Sequence, residues 1–292
     1  MKTLRHPMLH HLRKNPGLLT VAAAGLIGVA VAQADDRERS VAAAPTALSP
    51  VVVAKPAAPP SPVLKTARAV LDGVGVESGA QATQVDRALA ALRGSVRRQS
   101  DPGALRMAFQ AYYNYKTANP EKVRKPYLYF VDYGLSNTTP RGYVFDMEQL
   151  KVVDGPFTVA HGRGSASPSE SRPTRFSNRQ GSNATSLGLY LAQETYGFSG
   201  KTGGRRYTSV GLRLQGLSGR YNSAARSRGV VAHGAPYVTA SRAGRSEGCP
   251  AIEQSRARTL LPKISRGGLV FLFSPLDRTW MRQDPWANAN NG

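Results

Sequence analysis

The sequence predicts a mainly β domain preceded by a short helical region, and two patterns carry that prediction. From Lys125 onward the apolar residues fall in short or alternating runs separated by Gly, Ser, Asn and Pro clusters, which is how a mostly antiparallel β domain is written. Between about Val63 and Thr117 they instead recur at helical spacing, as in Val85, Leu89 and Leu92, then Leu105, Phe109, Tyr112 and Tyr113.

Taken in order, residues 1–34 place Lys2, Arg5, Arg13 and Lys14 before an apolar stretch from Leu18 to Val31, followed by Ala32-Gln33-Ala34. This is the order of a secretory signal peptide. Gly25 and Gly28 interrupt the stretch, and it is short for a bilayer core, which favours cleavage over a permanent span. An uncleaved anchor is the alternative. The expected location is the periplasm or cell envelope, with no stable membrane insertion after cleavage. Residues 35–62 are rich in Ala, Pro and Val, a composition that reads as an extended linker. Residues 63–124 form the helical region, two or three short helices covering one end of the β-rich domain.

Residues 125–276 form that domain, with strands expected over Tyr127 to Val131, Gly142 to Phe145, Val152 to Ala160, Gly211 to Gln215, Val230 to His233 and Leu269 to Phe273. Asp154-Gly155 is the hairpin-turn candidate. Glu253 to Leu261 reads as a helix stopped by Pro262. Residues 277–292, ending in Ala-Asn-Ala-Asn-Asn-Gly, read as a flexible tail. The sequence is silent on oligomeric state.

The formal charge is +21, and +17 once residues 1–34 with their four basic side chains are removed. For an exported protein this favours anionic polymers or carboxylate-rich peptides as partners, through local concentration rather than selection. No zinc-finger spacing, helix-turn-helix pattern or aromatic RNA-binding motif accompanies the charge, so no nucleic acid partner is expected. The chain has one cysteine, which excludes a disulfide framework. A buried, inert side chain is the ordinary explanation of a lone thiol.

Its neighbours point elsewhere. Gly229-Val230-Val231-Ala232-His233-Gly234 precedes Gly244-Arg245-Ser246-Glu247-Gly248-Cys249-Pro250, and His233 and Cys249 lie sixteen positions apart. A hairpin-like return over that distance brings imidazole and thiol together. The chemistry needs this, because only the thiolate attacks a carbonyl efficiently and a nearby His accepts the proton. Gly248 permits positive φ and close approach of a carbonyl substrate, and the N–H groups around Gly248 and Cys249 are candidate donors to an oxyanion. Pro250 stiffens the far side of the turn.

This Ser-x-Gly-Cys turn preceded by His-Gly resembles the murein L,D-transpeptidase catalytic-domain family, and within it the branch with Gly-Arg-Ser-x-Gly-Cys-Pro in place of Ser-His-Gly-Cys. Further matching segments are Ala160-His161-Gly162, Arg175 to Asn178, Gly181-Ser182, Ser186 to Tyr190, Leu212 to Leu217, and Asn222 with Ala224 to Arg226. The resemblance implies an L,D-transpeptidase-like β-sandwich catalytic domain that acts on peptidoglycan stem peptides. Cys249 would form a thioester at the bond between the third, L-centred residue and the terminal D-residue, His233 would take its proton, and the carbonyl of Gly234 would orient His233. An amine would resolve the thioester in a transpeptidase, water in an L,D-carboxypeptidase. No cofactor or metal is implied.

The sequence departs from the commoner motif at Glu247, which replaces its His, so no role of that His carries over. Glu247 is expected in solvent. Arg245 has two open roles, binding a stem-peptide carboxylate or anchoring its own loop by bonds to carbonyls. His161 either lines the cleft or is a packed structural residue. Ser246 is expected to hold the turn, and Tyr190 and Tyr237 to be core or cleft wall. Two rival classes stand beside this one. A silent peptidoglycan-binding protein would keep the cleft without a reactive thiolate, and a zinc hydrolase would use His161, His233, Cys249 and Glu247, which lack a recognised ligand spacing.

Overall fold

The computed structural model describes residues 79, 80 and 82–288, all within the unit Pro59–Gly292. The expected signal peptide and linker, residues 63–78 and 81 of the expected helical region, and the final four residues lie outside the described residues. The preface begins with a helix over residues 82–92 (α1). Its Val85, Ala88 and Leu92 are buried, the one-face spacing that the sequence shows. The second helix, Ala104–Ala118 (α2), buries residues on most of its surface. Phe109 meets Phe145 edge to face at 5.6 Å, so α2 belongs to the core of the β domain and the packing shows no division at residue 125.

The strands are Tyr127–Asp132 (β1), Gly142–Asp146 (β2), Lys151–Phe157 (β3), His161–Gly162 (β4), Gly188–Thr202 (β5), Arg205–Gly216 (β6), Val231–Gly234 (β7), Arg245–Ser246 (β8), Ala251–Ile252 (β9) and Leu269–Phe273 (β10). Eight form one sheet in the order β3-β2-β1-β10-β5-β6-β7-β9, and β4 pairs with β8 in a second. The first sheet is antiparallel except for β1 with β10 and β7 with β9. β1, β2 and β10 are buried along nearly their whole length, which is why they read as continuous apolar runs.

The large sheet curls. Strands β3 and β9 occupy its opposite edges, yet Ala160, three residues beyond β3, donates its N–H to Ala251 of β9 at 2.8 Å. Three extended residues span roughly 10 Å, so the two edges must approach one another. Register irregularities between β2 and β3 and between β5 and β6 supply local bending. The expected mainly β domain with a helical preface is therefore present, as a curled sheet.

Several local expectations are corrected. Asp154 and Gly155 lie inside β3, where Gly155 has φ +133° at the irregular pairing with β2; the glycine serves a bulge instead of a turn. The turn falls at Met147 to Leu150, and the strand expected to reach Ala160 ends at Phe157. The third helix, Gln254–Ile264 (α3), runs through Pro262. Burial of Leu261 and Ile264 holds its last turn against the cost of the missing N–H. The tail is packed as far as residue 288. Asp277 caps the helix Arg278–Gln283 (α4) by accepting from the N–H of Trp280, Trp280 is fully buried, and Trp286 packs edge to face on Tyr115 at 4.8 Å.

Candidate active site

His233 sits near the end of β7 and Cys249 just before β9. The parallel register sets His233 beside Ala251, so two residues back Cys249 falls beside Val231. Alternation then points the side chains of His233 and Cys249 to the same face. Both line a cleft of about 600 Å³ whose lining also includes Phe198, Lys201 and Tyr207 from the β5–β6 hairpin. The expected hairpin-like return is corrected: the two residues are brought together by parallel pairing of β7 with β9, with β8 interposed in the second sheet.

His233 is 3% exposed. Its Nδ1 lies 3.1 Å from the carbonyl oxygen of Gly234. A carbonyl only accepts, so Nδ1 carries the proton and Nε2 keeps its lone pair. The ring stacks on Phe198 with centroids 4.1 Å apart and planes 19° from parallel. Burial lowers its pKa to about 4, against the opposing bond to Gly234. Gly234 itself has no room for a side chain, since a Cβ there would meet Ser209 and come within 2.8 Å of the Ala257 Cβ.

Cys249 is half-buried, and its Sγ lies 3.9 Å from the carbonyl oxygen of Gly229. Burial raises its thiol above the ordinary range; the N–H of Val231 and the charge of Arg228 oppose that, and Glu247 adds to it. Thiol and imidazole are therefore both neutral near neutral pH. No hydrogen bond joins them among the described residues.

The turn before Cys249 is tightly specified. Gly248 has φ +117°, and a Cβ there would lie 3.0 Å from the carbonyl oxygen of Ala184. The hydroxyl of Ser246 donates to the carbonyl of Cys249 at 2.6 Å and accepts from the N–H of Gly248 at 3.2 Å. With that N–H occupied, the N–H of Cys249 is left as a candidate donor, since it has no partner among the described residues.

The other expected site residues separate. Arg245 lines the cleft, but its guanidinium donates to the carbonyls of Ala166, Ser167, Pro168 and Glu170; of its two open roles it fills loop anchoring. Glu247 is exposed, with Arg163 at 3.6 Å. His161 is fully buried and outside the cleft lining. An Arg141 nitrogen lies 3.0 Å from its Nδ1, while burial, Arg141 and Arg245 lower its pKa to about 3. Its Nε2 has no partner among the described residues. Tyr190 is core, its hydroxyl donating to Ser186, and Tyr237 is cleft wall. The described residues contain no group of three or more His, Cys, Asp or Glu placed to hold a metal ion.

Three contributors were not singled out from the sequence. Phe198 lies on β5, whose outer half alternates Tyr196, Phe198 and Gly200 along one face, a period-2 signal that was available. Gly229 contributes only a carbonyl, which no side-chain pattern announces. Arg228 resembles any solvated arginine in the run Arg226-Ser227-Arg228.

The chain belongs to the L,D-transpeptidase catalytic-domain family, which it matches over residues 97–273. Among solved structures it is similar to an L,D-transpeptidase from Mycobacterium smegmatis at 16% identity and TM-score 0.32, covering 51% of this chain and 58% of that one. It is also similar to an L,D-transpeptidase from Stackebrandtia nassauensis at 16% identity and TM-score 0.32, covering 59% and 67%. An L,D-transpeptidase from Mycobacterium tuberculosis gives 16% identity and TM-score 0.29, covering 51% and 57%. The chain thus spans little more than half the length of most of these structures, and likeness at that level carries nothing further. No curated protein matches the sequence.

Proposed function

We propose that this protein is an exported cysteine L,D-transpeptidase that acts on peptidoglycan stem peptides. The observation that carries the proposal is the pairing of His233 and Cys249 in one cleft, with the Gly234 carbonyl fixing the imidazole tautomer that accepts a proton. The sulfur of Cys249 attacks the carbonyl that joins the third residue of the stem to its terminal D-residue, and His233 Nε2 takes the thiol proton. In this reading the N–H of Cys249, which has no partner among the described residues, donates to the oxyanion. Collapse breaks the C–N bond, the leaving D-amino acid receives the proton from His233, and a thioester remains. An acceptor amine then displaces the sulfur and forms the cross-link; water in its place gives a carboxypeptidase.

Because both groups are neutral at rest, the proton moves as the substrate carbonyl is engaged. Export rests on the amino-terminal segment with its basic start, apolar centre and Ala32-Gln33-Ala34. The test is incubation with disaccharide tetrapeptide, wild type beside Cys249→Ala, following the released D-amino acid and product masses. Cys249-dependent release is expected, with dimer marking transpeptidation and tripeptide alone marking hydrolysis. A folded, reduced wild type that releases nothing would replace this proposal with a silent wall-binding protein.

A further inference from the structure

Neutral imidazole and neutral thiol leave one requirement of the chemistry unmet by the Cys–His pair. As the sulfur loses its proton and the carbonyl oxygen becomes an oxyanion, negative charge develops beside Gly248 and Cys249, and a buried histidine gains its compensating charge only late and against desolvation. A fixed positive charge close to the turn lowers that barrier without moving.

The structure contains one in the right place. A Cβ built on Gly248 would lie 3.6 Å from Nη2 of Arg228, and Arg228 lines the same cleft as Cys249. Its guanidinium is pinned: Nη1 donates to the Ser177 carbonyl at 2.8 Å and to the Ser186 hydroxyl, and Nη2 to the Ser182 hydroxyl at 3.1 Å and the Ala184 carbonyl at 2.9 Å. All four partners are neutral. No carboxylate lies within ion-pair distance of Arg228 among the described residues, so its charge is held still and uncancelled. The adjacent residue, Gly229, supplies the carbonyl nearest the thiol.

The remaining charged groups of the cleft are differently placed. Arg245 is engaged by its loop carbonyls, Arg163 lies beside Glu247, and Lys201 comes from the β5–β6 hairpin, with no bond fixing its ammonium among the described residues. Glu247, the one acid in the lining, is exposed. From the elements packed around Cys249 come the imidazole of His233 and the phenols of Tyr133, Tyr190, Tyr196, Tyr207 and Tyr237, whose pKa values burial shifts away from neutral pH.

We infer that Arg228 is a positioning residue whose fixed charge stabilises the Cys249 thiolate and the ensuing oxyanion, while its four bonds hold the 177–186 segment against Gly248. This rests on Cys249 being the nucleophile, but the charge is measurable without any peptidoglycan. The full chain is alkylated with anionic iodoacetate and with neutral iodoacetamide across pH, at low and high salt, and the same chain in urea gives the reference ratio of the two rates. The folded wild type is expected to favour iodoacetate several-fold relative to the urea reference, and salt to erode that preference. Arg228→Gln is expected to lose the preference and to move the alkylation midpoint up by about half a pH unit or more. Arg228→Lys, which keeps the charge, restores most of both, and Arg163→Gln at the rim leaves the midpoint in place.

A wild-type ratio equal to the urea reference overturns the inference even if Arg228→Gln fails to fold. So does a folded Arg228→Gln whose midpoint and ratio match wild type, or an equal shift in Arg163→Gln. None of these outcomes bears on whether tetrapeptide is turned over, so failure here and failure of the proposed reaction are read separately.

Discussion

Gly248 shows how much of the candidate site is decided by a single backbone position. Its φ of +117° is disfavoured for any side chain, and an added Cβ would press on the Ala184 carbonyl at 3.0 Å. Gly248→Ala is therefore expected to cost about 1–3 kcal/mol of stability and, by tilting the Cys249 N–H, to lower turnover on the order of a hundredfold. Urea denaturation beside tetrapeptide turnover measures the two effects, and a variant with full activity would remove the Cys249 N–H from the oxyanion role. Ser246 constrains the same turn by a different means, one hydroxyl serving as donor and acceptor to two backbone groups of the loop. Arg245 works one layer out. Its bonds to four carbonyls over 166–170 fix a loop that packs beside β8.

At the scale of elements, α4 is the segment whose importance exceeds its length. Six residues carry Trp280, which is fully buried against Phe271 and Phe273 of β10, with its indole N–H donating to Asp284 at 3.0 Å. Trp280→Ala leaves a large void under the central strands, and the expected loss is about 3–5 kcal/mol. A chemical denaturation midpoint within error of wild type would show that α4 is docked without contributing. The β5–β6 hairpin is the opposite case. Its inner half is buried in the sheet, while its outer half, closed by Gly203 and Gly204, reaches past the sheet to wall the cleft with Phe198, Lys201 and Tyr207.

At the scale of the whole molecule, the described residues include two histidines held neutral by burial, His161 lowered to about 3 and His233 to about 4 from an ordinary 6.5. Both bind a proton more readily in the unfolded chain. Their contribution is thus fully present above pH 6.5 and is lost as pH falls toward 4 and then 3. One pH unit below the unfolded value the loss is about 1 kcal/mol per histidine. Asp132, whose carboxyl burial raises above 3.8, works against them at the acid end. The urea midpoint is expected to be lower at pH 5.5 than at pH 7.5, and His161→Gln to flatten part of that slope. Equal midpoints at the two pH values would show that these imidazoles titrate as they do in the unfolded chain.

The sequence by itself determined what local chemistry can announce. Apolar periodicity marked β1, β2, β7, β10 and the helical preface, because burial on a strand or helix leaves a repeat in the chain. The His233-Gly234 and Ser246 to Cys249 segments announced the candidate pair and the glycine turn, since each depends on residue types at fixed short spacing, while the Gly234 carbonyl as orienter came only from the family resemblance. Everything that depends on distant residues meeting was decided by the tertiary structure. The closing approach of β3 to β9, the helix continuing through Pro262 and the docking of Trp280 each rest on contacts that no window of neighbours contains. So do the choice of loop anchoring for Arg245, the burial of His161 on Arg141 and the pinning of Arg228 beside Gly248, because the environment of a charged side chain is set by what folds against it and not by its neighbours in the chain.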